Sequence, residues 1–408
     1  MRLLRVEGRA EAQRLLEALG TDRGGVGIMR DKMVCLSIVV EDVQARAAHI
    51  IKQVMLSKGG DCATPRDVFL KTTEPVDIIM IGTLRQLREA AKNLAAQPFG
   101  CKDTSASLKE LLEREADAGV RVMKAGNHEL RFGERTLVMG IINVTPDSFS
   151  EFGELFDFDK ARRRALEIAE AGADIIDVGG ESTRPGARKV PLEEELRRTV
   201  PLIEAIAPVV GVPVSIDTCK EGVARRALDA GATIVNDVSA LSYDDALASL
   251  VARRRVPVCL MHMQGEPRTM QENPHYEDVI KDIVDELYAR SDYAIECGIS
   301  EDRIMIDPGI GFGKTAGHNL EIVRRIDEFR SLGYPVVLGT SRKSFIGKVL
   351  DLPEGDRLNG TAATVAFAIA RGVDVVRVHD VEEMVQVVRM SDAIARGDKD
   401  GGHKPWTS

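Results

Sequence analysis

Eight short apolar runs, at 137–142, 174–178, 213–216, 233–235, 256–261, 303–306, 335–339 and 373–378, each end beside residues able to do chemistry. In order these residues are Asn143; the stretch Gly179-Gly-Glu-Ser-Thr-Arg-Pro-Gly186; Asp217; Asn236 with Asp237; His262; the stretch Asp307-Pro-Gly-Ile-Gly-Phe-Gly-Lys314; Ser341-Arg-Lys-Ser344; and Arg377 with His379. Asp217, Asn236, Asp307 and Lys343 supply two carboxylates, a carboxamide and a cationic donor. That mix suits the alternating donors and acceptors of a flat heterocycle carrying amino and oxo groups, because a carboxylate pairs bidentately with a ring N–H and a neighbouring amino group. Arg377 and His379 are potential cations where a helix must begin, a setting that favours phosphate or pyrophosphate. Asn143 offers a neutral oxygen of the kind Mg²⁺ takes while keeping most of its waters. No His/Cys grouping has transition-metal spacing.

Taken singly, each residue has a plainer explanation. Asp217 or Asn236 could simply cap the next helix, Gly309, Gly311 and Gly313 could make a pliant loop, and His262 between Met261 and Met263 suits a core imidazole as well as a ligand. It is the eightfold repetition of strand-like run and polar end that makes the set functional.

The elements that must position these residues follow from the spacing. Helical patterns lie between the runs; in 159–171, for example, Ala161, Ala165, Ile168 and Ala169 share one face and Gly172 follows the end. Eight alternating strands and helices in about 250 residues predict a (β/α)₈ TIM barrel. A doubly wound open sheet is the main alternative, disfavoured because no Gly-x-Gly-x-x-Gly turn follows the first strand. The barrel domain is placed at 126–398, with a hairpin-like lead-in at 130–136, and 399–408 is expected to be a flexible tail. Residues 1–125 read as a smaller α/β domain, with strands at 3–6, 33–40 and 76–81 and helices at 10–19, 43–56, 84–94 and 102–118, the last a polar connector. That domain shows no catalytic constellation, and His49 lies on a helical pattern that suits packing.

The 408 residues carry a net charge of −9, which argues against general nucleic-acid binding. Six scattered cysteines without a Cys-x-x-Cys pair favour a reducing compartment. The first residues lack a signal-peptide core and no apolar run approaches a membrane span. The expectation is a cytoplasmic protein without a membrane partner.

At these positions the chain resembles dihydropteroate synthase. The resemblance is carried by Asn143-Val-Thr-Pro-Asp-Ser-Phe-Ser150, Gly179-Gly-Glu-Ser-Thr-Arg-Pro-Gly-Ala187, Ser215-Ile-Asp-Thr218, Asn236-Asp237, Asp307-Pro-Gly-Ile-Gly-Phe-Gly-Lys-Thr315, Gly339-Thr-Ser-Arg-Lys-Ser-Phe-Ile-Gly347 and Arg377-Val-His379, and spans about 130–395. It implies a folate-pathway barrel, a homodimer by family habit, that joins 6-hydroxymethyl-7,8-dihydropterin pyrophosphate to p-aminobenzoate and releases pyrophosphate. By the same resemblance Asp217, Asn236, Asp307, Lys343 and Met261 hold the pterin. Asn143 meets Mg²⁺, and Arg377 and His379 meet the pyrophosphate. Phe149, Thr183, Arg184, Pro185, Phe312 and Ser344 shape the p-aminobenzoate site, and Asp147, Asp307 and Lys343 serve the catalytic step.

Two departures from the family pattern stand out. Glu151-Phe152-Gly153 replaces the usual Asp-Gly-Gly and bears on loop closure, and the leading domain lies outside the barrel resemblance. Three rivals are weaker. A methyl-transferring pterin barrel would not need the 146–150, 182–185 and 341–344 loops. A non-catalytic paralogue fits Glu151-Phe152 but not the retained Asn143, Arg377 and His379. A second folate-pathway activity in the leading domain would need a nucleotide loop or a His/Glu cluster there, and the sequence has neither.

Overall fold

The computed structural model describes every residue except 7, 72–73, 117–118, 145–157, 183–186, 188, 267 and 398–408. The chain divides into two compact units at Ala118/Gly119. In the leading unit β1 (Cys35–Gln44), β2 (Asp61–Ala63) and β3 (Pro75–Thr83) form an antiparallel sheet in the order β1-β3-β2. Val76, Ile78 and Met80 on β3 are buried, whereas Asp77, Ile79 and Ile81 between them are exposed. The 76–81 run is therefore an alternating, one-face strand and not the doubly buried strand its apolar content suggests. Helices Ala45–Ser57 and Leu84–Leu94 contribute Ala48, Ile51, Met55, Leu87 and Ala91 to the same core.

Three readings of this unit need correction. Residues 3–6 have no regular structure. The strand expected from residue 33 starts at Cys35, because Arg23–Met33 is a helix whose first turn is capped by the Asp22 carboxylate accepting from the Gly25 N–H. Cys101–Ala116 is no mere connector, since Leu108 and Leu112 are buried and the Ser105 hydroxyl donates to the Ala91 carbonyl.

The second unit opens with a hairpin, β4 (Arg121–Ala125) paired to β5 (His128–Phe132). Residues 121–125, assigned from sequence to the leading domain, thus belong with the barrel. All eight apolar runs become parallel strands: β6 (Leu137–Asn143), β7 (Ile175–Gly179), β8 (Val214–Asp217), β9 (Ile234–Asp237), β10 (Val258–Met261), β11 (Ile304–Asp307), β12 (Val337–Leu338) and β13 (Val375–Val378). Each pairs with its sequence neighbour and β13 pairs with β6. The bridge Ile306↔Val336 joins β11 to the start of β12 and closes the cylinder, which rules out the open sheet.

Alternation along each strand sorts the side chains. Val138, Ile176, Val178, Ile216, Val235, Leu260, Ile306 and Val376 belong to the core between sheet and helices. Residues of the opposite parity, among them Leu137, Met139, Ile175, Ile234, Cys259, Met305, Val337 and Val375, cluster with Met123, Ala125, Leu130 and Phe132 of the hairpin. The hairpin therefore plugs the amino-terminal mouth of the barrel with apolar side chains. Continuing the same parity two to four residues further brings Asn143, Asp177, Asp217, Asn236, Met261, Asp307, Arg377 and His379 to the carboxyl-terminal end, where barrels place their sites.

If the plug is part of the barrel's cooperative unit, Phe132→Ala should lower its stability by about 3–5 kcal/mol, the range for emptying a buried aromatic site. The urea midpoint should fall with little change in slope. An unchanged midpoint would mean that the hairpin does not support the barrel.

Candidate active site

The inner end of the site is an ion network across four strands. Arg377 on β13 donates from Nε to Asp177 Oδ2 on β7 at 2.7 Å and from Nη2 to Asp217 Oδ2 on β8 at 2.6 Å. Asn236 on β9 donates from Nδ2 to the same Asp177 oxygen at 3.1 Å. Asp177 is wholly buried, and Asp217 is nearly so. Burial pushes the Asp217 carboxyl up to about 7; Arg377 opposes that shift, and Asp177, Glu195 and Asp237 add to it. Sequence reasoning missed Asp177 because it sits inside the 174–178 run. The available signal was a charged residue at an inward position of a buried strand.

A second group gathers at the end of β11. The Asp307 carboxylate accepts from the Gly309 N–H at 2.7 Å, and burial raises its pKa against the pull of Gly309, Lys343 and Arg377. The glycines that follow are needed for close approach. A Cβ on Gly309 (φ +71°) would lie 1.9 Å from the His262 carbonyl oxygen, and one on Gly313 (φ +63°) would lie 2.4 Å from that of Gln264. The tight loop places the Phe312 ring in a small cluster with Met261, Met270 and Val238. The Lys343 ammonium stands 4.1 Å from the centre of that ring. Ser344 is the first residue of helix Ser344–Leu350 and is exposed.

Behind the loop, Lys314 is buried, with Nζ 2.8 Å from His262 Nδ1 and 3.0 Å from the Phe312 carbonyl. The His262 Nε2 lies 3.2 Å from a Glu286 oxygen. His262 is thus held by two side chains beneath the loop, which settles its role as a buried, satisfied imidazole. Desolvation lowers the Lys314 pKa to about 7.

At the third corner Asn143 turns Nδ2 toward His379 Nε2 at 3.4 Å, and His379 Nδ1 lies 3.0 Å from Ser341 Oγ. Its carboxamide oxygen faces Gly179, whose missing side chain keeps the space between Asn143 and Asp217 open. Desolvation, with Arg377 and Arg342 nearby, pushes the His379 pKa down to about 3, which disfavours the imidazolium in the absence of an anion. Among the described residues no cluster of three or more His, Cys, Asp or Glu could hold a metal. A cation here would meet Asn143 and otherwise ligand oxygens and water, a donor set that fits Mg²⁺.

Asp147, Phe149, Thr183, Arg184 and Pro185, with the Glu151-Phe152 departure, lie outside the described residues. The described residues on either side of 183–188 are tied by Lys220, whose Nζ reaches Glu181 at 2.5 Å, the Val190 carbonyl at 2.6 Å and buried Glu195 at 2.6 Å.

The sequence pattern of the pterin-binding enzymes matches residues 139–379, from β6 to His379. The dihydropteroate synthase of Bacillus subtilis is 48% identical over 265 residues, covering 65% of this chain and 90% of its own. The chain belongs to the dihydropteroate synthase family. The barrel is accordingly that of a folate-pathway transferase. A crystal structure of the Xanthomonas albilineans dihydropteroate synthase with 4-aminobenzoic acid is 41% identical and covers 68% of this chain and 98% of its own, with a TM-score of 0.63. A probable bifunctional folylpolyglutamate synthase/dihydropteroate synthase of Haloferax volcanii is 43% identical over 357 residues, 86% of this chain. That alignment is longer than the barrel unit and so takes in part of the leading unit as well. The chain spans 42% of the length of that relative.

Gly309→Ala places a Cβ against a carbonyl that cannot retreat without moving β10. It should cost at least about 2 kcal/mol of stability, read in urea unfolding, and should displace the loop that carries Phe312 in a crystal structure of the variant. A fully stable protein with an unmoved loop would show that the close approach is not a constraint.

Proposed function

We propose that the chain condenses 6-hydroxymethyl-7,8-dihydropterin pyrophosphate with p-aminobenzoate to give 7,8-dihydropteroate and pyrophosphate. The observation that carries this reading is the convergence of Asp217, Asn236, Asp307 and Arg377 in one buried polar layer at the carboxyl end of the barrel, within the family match. Because Asn236 Nδ2 donates to Asp177, its carbonyl oxygen is the acceptor this amide has left for a ligand. Asp217, Asn236 and Asp307 then accept from ring N–H and amino groups, and Lys343 donates to a ring acceptor. Met261 and Phe312 supply the apolar wall that a flat ring needs.

Arg377 and His379 line the pyrophosphate end. Mg²⁺ held by Asn143 and the pyrophosphate would offset the charge of the leaving group. The C–O bond to pyrophosphate breaks with its electron pair leaving on oxygen. The buried Asp307 carboxylate stabilises the cationic pterin methylene, and the arylamine nitrogen attacks that carbon and gives up a proton. Asp147 and the 183–185 loop complete the amine side by the family resemblance, with Phe149 and Ser344 at its edge. The family habit of pairing is supported by exposed apolar residues on consecutive helices, Val349, Leu350, Phe367, Met390 and Ile394, and we propose a homodimer through them. A cytoplasmic setting accords with six free cysteines and with the absence, among the described residues, of a helix long and apolar enough to cross a membrane.

The deciding assay is pyrophosphate release from pterin pyrophosphate with Mg²⁺, with and without p-aminobenzoate. Amine-dependent release with dihydropteroate as product is expected; tight pterin binding without turnover would overturn the catalytic reading.

Asp217→Asn should weaken pterin pyrophosphate binding by about 1–3 kcal/mol, the usual effect of disturbing a charged hydrogen-bonded site. The carboxyl pKa is raised, so Asp217 takes up a proton as the pH falls through about 7 and ceases to be a full acceptor. Affinity in the parent protein should therefore decline on that acid side, and Asp217→Asn should lack the decline. Calorimetry across pH checks both statements. Arg377→Ala should impair binding of the pyrophosphate ester more than that of a bare pterin.

A further inference from the structure

We infer that Asp177 is the positioning residue that sets the orientation of Asn236 and Arg377 together, coupling the heterocycle half of the site to its anion half through one carboxylate oxygen. The inference rests on the proposed function for the identity of the two halves, but its geometry stands apart from it. Asp177 Oδ2 accepts from Asn236 Nδ2 at 3.1 Å and from Arg377 Nε at 2.7 Å. Its other oxygen is buried without a protein hydrogen-bond partner. Among the described residues, the carboxylate therefore bonds to two site residues and to nothing in the scaffold.

The contrast with Asp237 is informative. That carboxylate is equally buried, but it accepts from the Ser239 N–H, the Ser239 hydroxyl and the Leu241 N–H, which makes it the organiser of a turn. Asp177 organises no backbone. Its register partner on β8 is Ser215, two residues before Asp217, and Asp217 is level with Asn236 on β9, so Asp177 lies one inward layer below both and reaches Arg377 across β6.

Two consequences follow from the chemistry. An amide side chain can present either its oxygen or its NH₂ to a ligand. By accepting from Nδ2, Asp177 fixes which way round the Asn236 amide lies, leaving its oxygen and one N–H for a ligand. A guanidinium donates in fixed directions, so anchoring Nε at Asp177 and Nη2 at Asp217 sets the plane of Arg377. A change at Asp177 should thus disturb two subsites at once, whereas a change at Asn236 or Arg377 should disturb one.

The experiment is calorimetry on the full chain with two separate probes, a bare pterin and inorganic pyrophosphate with Mg²⁺. Asp177→Asn should weaken both by roughly tenfold each, the effect of one hydrogen bond to a charged group. Asn236→Ala should act mainly on the pterin and Arg377→Ala mainly on pyrophosphate. Combining Asn236→Ala with Arg377→Ala should be non-additive in the parent and additive in the Asp177→Asn background, a readout that a general loss of packing would not produce. Asp177→Glu keeps the charge while moving the oxygen and should also weaken both probes, with urea unfolding of each variant reporting that the fold is retained. Affinities within about twofold of the parent in both Asp177 variants, or additivity already in the parent, would overturn the inference. A parent protein that binds neither probe would overturn the function reading itself.

Discussion

A single guanidinium, that of Arg377, lies between the carboxylates of Asp177 and Asp217 inside a closed cylinder, with contacts of 2.7 and 2.6 Å. With both carboxylates ionised, two anions and one cation leave net negative charge where water is scarce, and such groups persist only when their hydrogen bonds are well made. Removing one member of a buried ion group typically costs about 3–5 kcal/mol because the others are left uncompensated. The arrangement spans β13, β7 and β8, with β6 lying between β13 and β7. In a flat sheet these strands would diverge; curvature brings their inward side chains to one place.

The rest of the barrel supports that charge by contrast. Below it, the hairpin and the lower inward residues form an apolar plug. Above it, the polar layer meets the ends of the loops. A polar group above an apolar floor inside a closed barrel feels a low dielectric, which raises the Asp217 and Asp307 carboxyls and lowers the His379 pKa. The same environment makes each fixed donor and acceptor count for more toward a charged ligand. Three residues serve as local frames: Asp177 between Asn236 and Arg377, Lys314 behind the Phe312 loop, and Lys220 between Glu181 and Val190. Asp177 and Lys314 are buried and Lys220 is half-buried, and the partners of each are ligand-facing groups or loop residues.

The leading unit is built on other lines, with one antiparallel sheet buried on one face and its own apolar core. The Haloferax relative extends its similarity beyond the barrel into this unit, so the pairing of the two is not peculiar to this chain.

Sequence by itself determined the barrel and most of its inventory. Strand positions were legible because a strand buried on both faces must be apolar throughout. The strand-end residues were legible because the first residue that breaks such a run at an inward parity has to lie at the strand end, as Asn143, Asp217, Asn236 and Asp307 do. Other features were not legible. Asp177 was hidden inside its run, the helix Arg23–Met33 was masked by its three glycines, and β3 looked doubly buried because its exposed face is also apolar. Only the tertiary structure decided that Arg377 pairs with residues 160 and 200 positions away, that Asn236 donates from Nδ2 to Asp177, and that burial lowers the His379 pKa. Those properties depend on distance and dielectric between side chains remote in sequence, and neither exists until the barrel closes.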